Sequence, residues 1–226
     1  MLPLLIGWLL LTGGTAVHAS PVPYMLPTPT EAPVFTQEPV PAAYRAAMTG
    51  LSWKKGAPVS LDSLRLLKVG YMGFDGRSMQ GELVMHQAVA EEVLAIFREL
   101  YDAGYPIRRV SLVDWYGADD TRSMEADNTS AFNFRPVAGS TSLSKHSYGI
   151  AIDINPVENP YVKGDYLSPA VGKPFRDRSL AGAGMIIPGD PCHLAFVNRG
   201  WVWGGDWKTL KDYQHFEKPL DLKLLQ

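Results

Sequence analysis

Two residue types that bind metals or move protons stand seven positions apart in the segment SKHSYGIAID, residues 144–153. Gly149 can adopt backbone angles closed to other residues, which predicts a turn. The alternating isoleucines that follow predict a half-buried strand, with Asp153 on the face opposite the core. We expect His146 to reach that same face from across the turn. Because a buried carboxylate is costly unless it is paired or metal-bound, the segment indicates a metal site.

A third candidate ligand lies in GWVWGGDWKTLKDYQHFEK, residues 200–218. Strand-like alternation there places His215 on the face opposite its phenylalanine neighbour. Catalytic zinc sites commonly use three protein ligands and leave a fourth position open. We therefore predict that His146, Asp153 and His215 bind Zn²⁺. Asp212, three residues before the last histidine, is expected to act as the general base.

Other titratable residues leave alternatives or have structural interpretations. Asp206 is a rival for the general base, and Glu217 is a weaker one. His86 at the start of a predicted helix and His193 inside another are expected to be structural. Cys192 is the single cysteine, which excludes an intrachain disulfide and indicates a buried, inert thiol. The three tryptophans of WVWGGDW are expected to pack in the core or at the cleft wall.

The two segments together resemble a known family. The pattern S-x-H-x-x-G-x-A-x-D is matched at each fixed position, and an acid-x-x-His pattern follows near the C-terminus. These patterns resemble the D-alanyl-D-alanine carboxypeptidase family of zinc peptidases. That family includes VanY-type carboxypeptidases, vancomycin-resistance D,D-dipeptidases, and the L-alanyl-D-glutamate endopeptidases of phage and Bacillus. An aspartate before the last histidine, with DNTSAFNFR and AIDINPVENPY, is closer to the endopeptidase branch. The resemblance covers roughly residues 81–218.

The resemblance implies roles for residues outside the predicted metal site. Arg135 would hold or polarise the substrate carbonyl, where a fixed guanidinium stabilises a developing oxyanion. Ser144 would hydrogen-bond the substrate or the metal shell, and Asn133 and Tyr148 would line the cleft. The resemblance also supports Asp212 as the base. It implies a single zinc-peptidase domain of the Hedgehog and D,D-peptidase type.

Length, composition and the N-terminal sequence indicate the domain organisation and exclude some functions. The 226-residue chain has a net charge of −2 and 46% apolar residues, which suits one domain and gives no basic field for nucleic acid. Residues 1–19 are apolar and end in a small-x-small site, which predicts a signal peptide or, uncleaved, an anchor. Residues 20–41 are proline-rich and predict an extended linker. Residues 42–226 are predicted to form the metallopeptidase domain.

Within this domain, hydrophobic periodicity predicts a strand over 81–86, a helix over 87–104 and a strand over 107–114. Asp190 and its following proline predict the start of another helix, which ends near Gly200. The predicted fold class is α+β, with a small, mostly antiparallel sheet and packed helices. The inner face of the helix over 87–104 is formed by Val89, Val93, Ile96, Phe97 and Leu100.

We therefore predict an exported zinc peptidase, periplasmic, cell-wall-associated or secreted, that hydrolyses peptidoglycan stem peptides. The sequence leaves two scissile bonds possible, the terminal D-Ala–D-Ala bond and the L-Ala–D-Glu bond within the stem. It also leaves open whether the protein is a host enzyme or a phage lysin. A zinc-containing module that binds the cell wall or a partner, as the Hedgehog signalling domain binds partners, is the alternative. Such a module is expected to lack the base, so Asp212 favours the enzyme.

Overall fold

The computed structural model describes residues 26–225 and shows helices packed on three small antiparallel sheets. The predicted α+β class is confirmed. The described helices are α1 (Ala42–Met48), α2 (Gln87–Asp102), α3 (Asp120–Glu125) and α4 (Pro191–Val197). The described strands are β1 (Thr28–Pro29), β2 (Thr36–Pro39), β3 (Leu64–Met72), β4 (Ser78–His86), β5 (Ala151–Asp153), β6 (Tyr161–Lys163), β7 (Tyr166–Ser168), β8 (Val202–Trp203), β9 (Lys211–Asp212) and β10 (His215–Glu217).

The largest sheet has the strand order β1-β4-β3-β2, and α2 packs on it. β4 runs directly into α2 at His86, whose ring accepts a hydrogen bond from the Ala88 amide at 3.1 Å and so caps the helix, a structural role. The five residues of the predicted inner face are at most 2% exposed. Because full burial of each such side chain contributes about 1.5–3 kcal/mol, α2 holds the β3–β4 hairpin in the core. Gly104 follows the helix with φ +66°.

The proline-rich segment, predicted to be an extended linker, contributes two short strands to the large sheet. β1 pairs with β4 and β2 pairs with β3, so the two short strands form the outer edges of the large sheet. Between them, the backbone of Val34 exchanges hydrogen bonds of 2.8 and 3.1 Å with the Gln80 side chain. Proline is tolerated at a sheet edge because its missing N–H faces away from the ladder. A composition typical of a spacer is therefore also compatible with edge strands.

The predicted signal peptide, residues 1–19, lies outside the described residues. Among residues 26–225, no helix combines the length and the apolar character that crossing a membrane requires.

The predicted strand over 107–114 is wrong. This segment has isolated bridges and ends in a short 3-10 helix, Val113–Tyr116. It crosses β4 at Gly81, where an added Cβ would lie 2.5 Å from the Val110 carbonyl oxygen. Side-chain amides replace a strand ladder, because Asn155 accepts from the Arg108 amide and Asn128 from the Ser111 amide, at 3.0 and 2.9 Å. Buried alternating residues alone did not distinguish this arrangement from a strand.

Two three-stranded sheets, β5-β10-β8 and β7-β6-β9, carry the residues of the candidate site. α4 supports the first of them. The helix begins as predicted, with Asp190 accepting a hydrogen bond from the His193 amide at 2.7 Å and proline in its first turn. Phe196 of α4 then stacks on Phe216 of β10, with ring centroids 4.0 Å apart. This stack fixes the C-terminal strand on the core.

Two buried carboxylates support the loop that follows β5. Asp127 accepts a hydrogen bond from the Val157 amide at 2.9 Å, and Arg108 lies 3.5 Å from Asp127 and 3.6 Å from Glu158. Burial, with the hydrogen bond and negative charge of Asp127, raises the pKa of Glu158 to about 8. The folded protein thus keeps a proton that the unfolded chain loses above the ordinary value of 4.5. Rising pH therefore lowers the free energy of unfolding across this interval.

We predict that Glu158→Gln changes stability little at pH 4 and increases it at pH 8 by on the order of 2 kcal/mol. The neutral amide keeps a hydrogen-bond donor for Asp127 and removes the charge that forms as pH rises. Urea unfolding at both pH values measures the difference. Glu125→Gln, which removes one exposed carboxylate from α3, is the matched control. Equal pH dependence in the wild type and Glu158→Gln would contradict the assignment.

Candidate metal centre and active-site cleft

A short helical turn positions the first candidate ligand. His146 lies in the 3-10 helix Lys145–Tyr148, where the Ser144 hydroxyl accepts a hydrogen bond from the His146 amide at 3.3 Å. Gly149 ends this turn with φ +67°, and an added Cβ there would lie 2.7 Å from the His86 backbone nitrogen. Glycine is therefore required for both its conformation and its close approach. The turn predicted from SKHSYGIAID brings His146 beside β5.

Strand pairing brings the other two candidates together. In the β5–β10 ladder, Asp153 lies opposite His215, while Ile152 lies opposite Phe216 on the core side. The backbone of Asp153 is also tied to Ser130 by hydrogen bonds of 2.9 and 3.1 Å. Asp153 is thus held between two neighbouring segments, and it lies beside His215 on the strand face opposite the core.

The three candidate side chains converge at one buried point. His146 Nε2 lies 3.2 Å from His215 Nδ1 and 3.2 Å from Asp153 Oδ2, and His215 Nδ1 lies 3.0 Å from Asp153 Oδ1. Each residue is at most 6% exposed. One ligand atom from each lies within 4.8 Å of the others, a spacing that could hold a metal ion.

The outer nitrogens of the two rings determine what the inner ones can do. His146 Nδ1 lies 2.6 Å from the Ala131 carbonyl oxygen, and His215 Nε2 lies 3.2 Å from a Glu217 carboxylate oxygen. Both partners only accept hydrogen bonds, so in a neutral ring each outer nitrogen carries the proton. The inner nitrogens then expose lone pairs toward each other and toward Asp153. Three acceptors around one point fit a divalent cation bound by two nitrogens and one oxygen, the donor set of many catalytic zinc sites.

Electrostatics at this point also favour positive charge. Burial opposes a charged imidazole, but the Asp153 and Glu217 carboxylates outweigh it and raise the pKa of His215 to about 10. Burial likewise opposes ionisation of Asp153, but the charge and hydrogen bond of His146 hold its pKa far below the usual range. The cluster is built to surround a cation.

Asp212, the predicted base, lies on β9 in the wall next to the cluster. β9 pairs with β6, which places Asp212 opposite Tyr161. Gly204 packs against it from the other side, since an added Cβ would lie 2.5 Å from the Asp212 carbonyl oxygen. Its Oδ1 is buried and has no hydrogen-bond partner among the described residues. Burial is the largest cause that raises the pKa of Asp212 to about 7, with Asp153 adding to it and His215 opposing it.

Arg135 also lines the cleft and is paired with a residue that the sequence did not point to. Its Nη2 donates to Asp120 Oδ2 at 2.9 Å, and its Nε is buried without a hydrogen-bond partner among the described residues. Both residues line the same cleft as the cluster. Asp120 was missed because no motif joins a residue of α3 to one fifteen positions later.

The predicted substrate-binding residues divide into two groups. Ser144 lines the cleft, although its hydroxyl also caps the turn that carries His146. Asn133 and Tyr148 are buried and do not line the cleft. The Asn133 backbone N–H donates to the His146 carbonyl oxygen at 3.2 Å, so this residue supports the turn that carries His146.

The remaining candidates take structural positions. Asp206 is exposed and does not line the cleft, whereas Glu217 is hydrogen-bonded to His215. His193 contacts the Trp203 ring edge-on, 5.3 Å between centroids, away from the cluster. Cys192 is fully buried, as predicted. The support that Glu217 gives to His215 was readable from the sequence, since residues two apart on a strand share a face.

The cluster opens into a cleft of about 600 Å³. Its floor holds the three converging residues, and Asp212 and Arg135 stand in its walls. The cleft also has aromatic and cationic lining, of which the sequence pointed only to Trp207. These residues are Lys145, Tyr161, Lys163, Tyr166 and Trp207.

Comparison with known families agrees with this geometry. The family model described as D-alanyl-D-alanine carboxypeptidase matches residues 138–218. The resemblance to D-alanyl-D-alanine carboxypeptidases is confirmed. The carboxypeptidase segment includes the whole buried cluster and Asp212, and it leaves Arg135 and the large sheet outside. No curated protein and no solved structure matches the chain. The carboxypeptidase match and the cluster together indicate a peptidase with a candidate metal centre.

We predict that Glu217→Ala weakens zinc affinity by about 10–100-fold, because His215 loses the acceptor that fixes its ring and its tautomer. Competition with a chromophoric chelator measures the affinity. Glu217→Gln keeps an acceptor oxygen and should weaken binding less. Glu91→Ala, an exposed change on α2, is the control. Unchanged affinity in Glu217→Ala would contradict a supporting role for this residue.

Proposed function

We propose that this protein is an exported, zinc-dependent peptidase that hydrolyses the stem peptides of bacterial peptidoglycan. The observation that carries the proposal is the meeting of three buried acceptors, from His146, Asp153 and His215, at the floor of an open cleft. The family match supports peptide hydrolysis. The apolar N-terminal sequence and the usual location of the family support export.

Zinc bound by these three residues would supply a Lewis acid and would make water more acidic at the site. The protein's own contribution begins with Ala131 and Glu217, which hold the two imidazole rings with their inner nitrogens free. This arrangement presents a preformed donor set and costs no reorganisation of the floor.

Asp212 is the proposed proton acceptor. Its buried Oδ1 makes no hydrogen bond within the described residues and faces no competing donor. A carboxylate with a pKa of about 7 can take a proton from water at neutral pH and return it to the leaving amine. Gly204 and the pairing of β9 with β6 keep this carboxylate in place.

Arg135 is the proposed oxyanion-stabilising residue. Asp120 holds one of its terminal nitrogens, which fixes the guanidinium plane and leaves its other N–H groups for a substrate carbonyl. A positioned cationic donor stabilises charge that develops in the tetrahedral transition state. Ser144, at the edge of the floor, is the proposed hydrogen-bond partner of the substrate backbone.

We expect Asp212→Asn to keep a full complement of zinc and to lower kcat by about 10²–10⁴-fold, because the amide cannot accept the proton. Metal content and rate are measured on one preparation. Asp206→Asn, the exposed alternative base, is the matched control and should retain wild-type turnover. Normal turnover in Asp212→Asn would contradict its role as base.

The function itself is tested by digestion of purified stem peptides with the zinc-loaded full chain, with and without chelator, read by mass spectrometry. The full chain is required because β1 and β2 complete the large sheet. Chelator-sensitive loss of one alanine identifies a D,D-carboxypeptidase, and a cut between L-Ala and D-Glu identifies an endopeptidase. Intact peptides from folded, zinc-loaded protein would overturn the proposal in favour of a non-catalytic binding module.

A further inference from the structure

One face of the β7-β6-β9 sheet forms a wall of the cleft. Tyr161 and Lys163 are two residues apart on β6 and therefore share a face. Their partners in register are Asp212 and Ser168 for Tyr161, and Tyr166 for Lys163. All five side chains line the cleft. β9, which carries the proposed base, pairs with β6. β6 and β7 extend this wall as a surface of two tyrosines and a lysine.

Lys163 is the uncompensated cation of this wall. It is exposed, and its ammonium group makes no hydrogen bond or ion pair with any residue in 26–225. The other two cations of the cleft, Arg135 and Lys145, are partly buried. Arg135 is paired with Asp120 at 2.9 Å. Lys145 lies next to the candidate ligand His146, in the 3-10 helix that carries it.

The surroundings of Lys163 suit an anion bound beside a peptide. Tyr161 and Tyr166 meet edge to face with ring centroids 6.0 Å apart, which forms an apolar surface bearing hydroxyl donors. Partial removal of water by such rings strengthens an ion pair formed between them. Tyr166 is 63% exposed, so the surface is open to a ligand.

The register fixes where such an anion would lie. Tyr161 is opposite Asp212, and Lys163 is two residues further along β6, which is about 7 Å at the rise of a β-strand. An extended peptide in the cleft also rises by about 3.3 Å per residue, so about 7 Å corresponds to two of its residues. Lys163 therefore stands about two residues from the bond at which Asp212 would act.

We propose that Lys163, flanked by Tyr161 and Tyr166, is a specificity-determining residue that binds a substrate carboxylate within about two residues of the scissile bond. This inference rests on the proposed function, in which the cleft binds peptides. Lys163 would give that cleft a preference for peptides with a carboxylate at this position. Lys163 acts on substrate binding and takes no part in bond cleavage.

The test measures peptide binding by the zinc-loaded Asp212→Asn chain, which leaves peptides intact, through the fluorescence of Trp207 in the cleft. The probes are a synthetic stem pentapeptide and two versions of it, one amidated at the D-glutamyl α-carboxylate and one at the C-terminal carboxylate. We expect one amidation to weaken binding by about two- to fivefold, a preference that shrinks at high salt. Adding Lys163→Met should abolish this preference without changing the affinity for the amidated peptide.

Two matched variants complete the design. Lys163→Arg keeps the charge and should keep the preference. Lys173→Met removes an exposed lysine outside the cleft and should also leave it unchanged. A thermal melt confirms that each variant is folded.

The outcomes separate this inference from the proposed function. A carboxylate preference that survives Lys163→Met, or no preference in the parent chain, overturns the role of Lys163. Peptide hydrolysis by the wild type in that case leaves the proposed function standing. Binding with a Lys163-dependent preference but no hydrolysis by the wild type would support the subsite and overturn the peptidase.

Discussion

Two imidazole nitrogens and a carboxylate face one another at 3.0–3.2 Å in the interior, and when both rings are neutral each points a lone pair inward. Such a group of acceptors repels itself unless a cation lies between its members. The rest of the structure is arranged around this constraint. The turn at Gly149, the β5–β10 register and the Phe196–Phe216 stack each fix one side of the cluster. Ala131 and Glu217 then fix the orientation of the rings.

The cleft separates its charges by function. Carboxylates surround the floor, and the cleft is also lined by an arginine held by Asp120 and by Asp212, which lies beside the tyrosines of β6 and β7. Proposed chemistry and proposed recognition therefore share the β7-β6-β9 sheet. Movement of β6 would change the position of Asp212 and that of Lys163 together, because pairing in this sheet couples them.

The sequence predicted those parts of the site that depend on local geometry. His146, Gly149 and Asp153 fall within eight residues, so turn and strand periodicity suffice to bring them together. His215 and Asp212 required the further argument that zinc needs a third ligand and a base. Asp120 could not be predicted in this way, because its contact with Arg135 depends on how α3 packs. Asn133 and Tyr148 lie in or near the motif in sequence, yet neither lines the cleft. The fold class followed from periodicity, but the segment 107–114 shows its limit. Buried residues at strand-like spacing there are held by the side chains of Asn128 and Asn155, which no pattern of apolar residues records.

The edge strands β1 and β2 have a consequence for how the protein behaves in solution. A sheet whose outer strands are bare offers a row of unpaired backbone groups to any neighbouring chain. Here a proline occupies each outer strand, Pro29 in β1 and Pro39 in β2, and removes a donor from each. The intervening segment folds over the sheet at Gly70, where an added Cβ would lie 2.4 Å from Pro33. The proline-rich segment thus covers both edges of the large sheet and disfavours edge-to-edge self-association. A chain trimmed at residue 42 would expose those edges while keeping every residue of the cleft.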